Sequence, residues 1–185
     1  MKKILVSILV IFGIIAAVSA GDQDKKEEAV NTLKGIKLSA TEDEVVKFIA
    51  AFPEFIKENK ELNPADPETV TSAMSIAAEN QEKWEKFAKE KGFSSYDNFL
   101  KVTTAVSTVY AYQLLQKNSD DLEKKIGSLP AVAQGMAKKQ LKPLKEQISK
   151  YKELVTPETI AVVDAHSDEL KAVFAPVAKL RPRKK

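Results

Sequence analysis

The sequence predicts an all-α protein, a single-domain bundle of about five helices behind a cleavable signal peptide. Three observations carry that prediction. Residues 96–115 run for twenty positions without Gly or Pro, with Asp97 and Lys101 as their only charges. Elsewhere apolar residues recur at helical spacing, and capping signals mark the starts of several of those runs. The strand-favouring residues Val102, Thr103, Thr104, Val106, Thr108 and Val109 sit inside one long segment with no second strand-like run to pair with it.

The N-terminus reads as a secretory signal peptide. Lys2 and Lys3 form a short basic region, residues 4–18 are an apolar run interrupted only by Ser7 and Gly13, and Val18, Ser19 and Ala20 supply small residues at a cleavage position. Fifteen apolar residues fall short of the roughly twenty needed to span a membrane. The expected division is therefore a signal peptide at 1–20, a flexible polar leader at 21–40, a helical domain at 41–178 and a basic tail at 179–185.

The domain opens at Thr41, whose hydroxyl and the Glu44 carboxylate form a capping box. Val45, Phe48, Ile49, Phe52, Phe55 and Ile56 make the apolar stripe of this first helix, and Pro53 kinks it by removing the bond to the Ile49 carbonyl. Asp66 as N-cap and Pro67 at the first helical position start a second helix. Val70, Ala73, Ala77, Trp84 and Phe87 form its seam, with Asn80 where another apolar residue was due. Gly92 suits the left-handed position that closes it, with Phe93 packing back.

Ser94 and Asp97 open the central helix, expected to be buried on most faces because so little of its circumference is charged. Tyr96, Phe99, Thr103, Val106, Tyr110 and Leu114 share one face, and small residues keep the others slim. A new short element is expected at Ser119, Asp120 and Asp121, ending at Gly127. After Pro130 comes a helix with the seam Ala137, Leu141, Leu144, Ile148, Tyr151 and Val155, bent at Pro143. Thr156 and Pro157 restart the chain for a helix through Val163, and Ser167, Asp168 and Glu169 begin another that reaches Phe174.

Composition narrows the chemistry. With 44% hydrophobic and 30% charged residues the composition is that of a globular chain with enough apolar residues for a core, which argues against global disorder. There is no cysteine and one histidine, His166. Thiol catalysis and cysteine-ligated metal are thereby excluded, and a lone imidazole lacks the second His or Cys that zinc sites use. No Gly-rich phosphate loop or nucleophile motif occurs. The sequence thus names no catalytic, cofactor-binding or metal-binding residue.

The charge is lopsided. Residues 21–100 carry 11 basic and 17 acidic side chains, a net of −6, whereas residues 101–185 carry 16 and 9, a net of +7. Lys138, Lys142, Lys145 and Lys152 recur on one side of the helix after Pro130, about 100° around from its seam, and are the candidate contact for an anionic partner. Asn80, Trp84 and Tyr110 are the candidates for a small pocket. The sequence reading is an exported, non-catalytic binding or interaction module. Its expected partner is a protein or an anionic envelope component, such as a polymer or lipid headgroups, with no specific nucleic acid. Oligomers through the acidic and basic halves fit the same charge pattern.

Overall fold

The computed structural model describes residues 37–59 and 79–178. The signal peptide, most of the leader, the Asp66–Pro67 helix start and the basic tail lie outside the described residues. Six helices account for nearly all that is described: α1 Glu42–Glu58, α2 Gln81–Glu90, α3 Tyr96–Ile126, α4 Ala131–Leu154, α5 Pro157–Ala165 and α6 Ser167–Ala178. They form one all-helical bundle around α3, which packs against α1, α2, α4 and α5.

Local chemistry sets the helix ends. The Glu44 amide donates to Thr41 Oγ1, and the Thr41 amide donates to Glu44 Oε2 at 2.9 Å, completing the capping box of α1. Burial raises the Glu44 pKa, but hydrogen bonds from Asn98 and Thr41, with Lys47 nearby, outweigh it and leave the carboxyl below its ordinary value. At the end of α2, Gly92 takes φ +83°, its amide donates to the Lys89 carbonyl, and the Phe93 amide donates to the Ala88 carbonyl at 2.9 Å. These two bonds are a Schellman motif, and its left-handed residue is the one position here where glycine is needed. Thr156 caps α5 by accepting from the Thr159 amide, with Pro157 in the first turn.

Three boundaries differ from the sequence reading. The central helix starts at Tyr96, as read, but its cap is one residue later, because Ser95, not Ser94, accepts from the Asn98 amide at 3.1 Å. It also does not stop near Asn118; it continues through Ser119, Asp120 and Asp121 to Ile126 as one 31-residue helix. Asn, Ser and Asp resemble a helix start because they favour N-caps, yet Ser119 and Ile126 are buried and keep the packing face continuous. Asn80 is a turn residue that precedes α2, with φ −105° and ψ 8°, so it marks a helix boundary instead of filling a seam position.

The core has two aromatic parts. Phe55 meets Trp84, Phe87 and Phe99, and Trp84 packs 5.2 Å from Tyr96, joining α1, α2 and the start of α3. Phe48 and Phe52 of α1 pack against Phe174 of α6. Between these, residues 102–109 of α3 are buried at every position. The threonines among them are satisfied within the helix: the hydroxyls of Thr103, Thr104 and Thr108 donate to the carbonyls of Phe99, Leu100 and Thr104, each at 2.7 Å.

Residues 37–40 extend this fold beyond Thr41. The Leu38 amide donates to the Leu154 carbonyl at 2.8 Å and its carbonyl accepts from the Thr156 amide at 3.1 Å, a parallel bridge across the α4–α5 junction. The Ala40 amide donates to Thr159 Oγ1 at 2.9 Å. Among the described residues no helix is long and apolar enough to cross a membrane.

Candidate interaction surface

Beyond Leu115 the environment of α3 changes. Only Ser119 and Ile126 are buried there, Gln116 and Leu122 are half-buried, and the remaining positions to the end of the helix are exposed. In α4 the described side chains before Gln147 are half-buried or exposed, Ala137, Leu141 and Leu144 among the half-buried ones, and full burial comes at Gln147, Tyr151 and Leu154. Burial along one stripe of each helix is the signature of two helices packed only on each other. The ends of α3 and α4, joined at residues 127–130, therefore make a two-helix arm extending from the bundle. Lys145 Nζ reaches Glu123 Oε1 at 2.5 Å and clips α4 to α3.

The arm differs from the rest of the protein in what its lysines touch. Around the bundle, Lys47 pairs with Asp43, Lys89 with Glu85, Lys91 with Glu54, Lys101 with Asp97 and Lys171 with Asp168. On the arm, the side chains of Lys117, Lys124 and Lys125 on α3 make no ion pair or hydrogen bond among the described residues. Lys138, Lys139, Lys142 and Lys152 on α4 share that condition, as does Lys57 on α1. Residues 116–152 hold nine lysines against four acidic residues, a net of +5. An exposed surface of net positive charge attracts anions.

All four lysines singled out in the sequence are exposed on α4. Three of them, Lys138, Lys142 and Lys145, line an open depression with Leu141, Glu146 and Ser149. Lys152 lies in the last turn of α4, where a cation is also favoured by the helix dipole.

Of the three pocket candidates, Asn80 and Trp84 lie one turn apart, the Trp84 amide donating to the Asn80 carbonyl at 2.9 Å, while Tyr110 lies further along α3. Trp84 is 0% exposed, packed against Phe55 and Tyr96, and its Nε1 donates to Asn59 Oδ1 at 2.8 Å. Tyr110 stacks on Phe174 at 4.5 Å, half-buried, fourteen residues further along α3 than Tyr96, or roughly 21 Å of helix axis. Asn80 stands at the entry to α2. The buried polar residue that meets Trp84 is thus Asn59, which the sequence reading passed over.

His166 closes α5, and its Nδ1 lies 2.7 Å from Glu169 Oε2. Among the described residues no group of three or more His, Cys, Asp or Glu is placed to hold a metal ion. Compared with known proteins, the chain matches no protein-family model, no curated protein and no solved structure.

Proposed function

We propose that this is an exported, non-catalytic interaction module whose working surface is the α3–α4 arm and whose partner is anionic. The observation that supports the reading is the pairing pattern: Lys47, Lys89, Lys91, Lys101 and Lys171 around the bundle find carboxylates within the protein, while Lys117, Lys124, Lys125, Lys138, Lys139, Lys142 and Lys152 on the arm are exposed without one among the described residues. Export is inferred from the signal-peptide pattern of residues 1–20. A role without catalysis is inferred from the residue inventory, with no thiol and a single imidazole already engaged with Glu169.

The test is association with immobilised anionic and neutral surfaces across a salt series. Exposed charges are screened beyond about 8 Å at physiological ionic strength, so binding to the anionic surface should fall steeply as salt rises. Salt-insensitive binding, or equal binding to the neutral surface, would remove the arm from consideration.

A further inference from the structure

The nature of the anion can be narrowed, on the reading that the arm is the working surface. Lys138, Lys142 and Lys145 are successive in space as well as in sequence: at 100° per residue they fall within a sector of roughly 60°, and they rise along about 10 Å of helix axis. Pro143 points roughly 100–160° away from them. The open depression lies on this lysine-bearing side of α4, away from Pro143.

Several partner classes fit this surface poorly. Adsorption to a lipid bilayer uses a face of apolar side chains beside the lysines, but the depression is lined by one, Leu141, which is half-buried. Single-stranded nucleic acid is held by aromatic platforms as well as charge, and the depression is lined by no aromatic residue. A second copy of the arm would bring together two surfaces of net +5. A narrow row of cations a few ångströms apart, with Leu141 on one flank and Glu146 on the other, suits a thin chain with a charge at each repeat.

We propose that the depression on the lysine-bearing side of α4 holds a linear phosphate polymer without bases, laid along Lys138, Lys142 and Lys145. Lys145 reaches it by exchanging its Glu123 partner for a phosphate, and Glu146 limits how far the chain can shift sideways.

Long-chain inorganic polyphosphate is the probe, used with the mature protein and two triple variants that remove the same charge. In K138Q/K142Q/K145Q, binding should weaken about tenfold or more, and the slope of log affinity against log salt should drop by about two, the value for three contacts to a flexible polyanion. In K117Q/K124Q/K125Q the affinity should stay close to wild type. Glu146→Gln should tighten binding, since it removes the one carboxylate lining the depression. Thermal melts of all variants should match wild type, because every substituted residue is exposed. Equal losses in both triple variants would overturn the docking line while leaving an anion-binding arm. Binding to phosphatidylglycerol vesicles or to a single-stranded oligodeoxynucleotide, with polyphosphate ignored, would replace the phosphate polymer by a membrane or nucleic acid. Absence of binding to any of these anions at low salt would overturn the function proposed for the arm as well.

Discussion

Trp84 Nε1 donates a 2.8 Å hydrogen bond to Oδ1 of Asn59, the residue that closes α1. Both side chains are almost wholly buried, and the Asn59 amide group also donates to the Phe55 carbonyl at 2.7 Å, one turn back. One side chain thus satisfies the end of α1 and the indole of α2 together. Asn59→Leu should leave the indole N–H and the Phe55 carbonyl without these partners, at a cost of about 2–4 kcal/mol. Urea unfolding followed by Trp84 fluorescence would measure it; a loss under about 0.5 kcal/mol would mean that the pair is replaceable.

The centre of the bundle offers a second comparison. Val106 is completely buried in α3, so Val106→Asp places an unpartnered carboxylate in an apolar site and should cost several kcal/mol. That is a large share of the roughly 5–15 kcal/mol that holds a domain together. Lys101 is exposed and pairs with Asp97 at 2.9 Å, one helical turn away, so Lys101→Gln should cost no more than about 0.5 kcal/mol. Similar melting temperatures for the two variants would contradict the all-round burial of α3.

Periodicity and caps made much of this fold legible. The Thr41–Glu44 box, the Gly92 turn, the Thr156–Pro157 start and the buried middle of α3 each follow from short-range chemistry that one stretch of chain contains. What escaped the sequence depends on distant residues. Asn118, Ser119, Asp120 and Asp121 resemble a helix start, and α3 runs through them because Ser119 and Ile126 remain on its packing face. Asn59 looks like an ordinary polar residue at a helix end until Trp84 is placed beside it. The lysine stripe of α4 was visible in the spacing, but which lysines lack partners was not, because Lys145 finds Glu123 on another helix.

Tyr151 gives a prediction of opposite sign. Its hydroxyl and that of Ser107 are buried and reach no hydrogen-bond partner among the described residues. Tyr151→Phe should therefore leave stability unchanged or raise it by up to about 1 kcal/mol. Burial also pushes the Tyr151 phenol up to about 12 from its ordinary 10.0, and raises those of Tyr96 and Tyr110. A pKa higher in the folded state means that the contribution is intact below about pH 10 and is lost as pH climbs through about 12. Melting temperature should fall over that window, less steeply in Tyr151→Phe; a marked destabilisation of that variant at neutral pH would show that its hydroxyl is hydrogen-bonded.

Export has its own signature. The proposed removal of residues 1–20 as a signal peptide predicts a mature chain that begins at Gly21. Intact-mass measurement on exported protein should give the mass of residues 21–185. Recovery of the uncut chain from a membrane fraction would rule out a freely soluble mature form.

The Leu38 bridge separates the leader from the fold that it enters. A chain beginning at Gly21 retains the Leu38 contacts, whereas one beginning at Thr41 loses a buried leucine, worth about 2 kcal/mol, and two backbone hydrogen bonds to the α4–α5 junction. At about 1 kcal/mol for each bond, the shorter chain should be destabilised by about 3–4 kcal/mol, or roughly 10 °C in melting temperature. Leu38→Pro within the longer chain removes one donor and keeps an apolar side chain, so its loss should be smaller. Equal melting of the Gly21 and Thr41 chains would show that the bridge adds no stability and that the domain is complete from its first capping box.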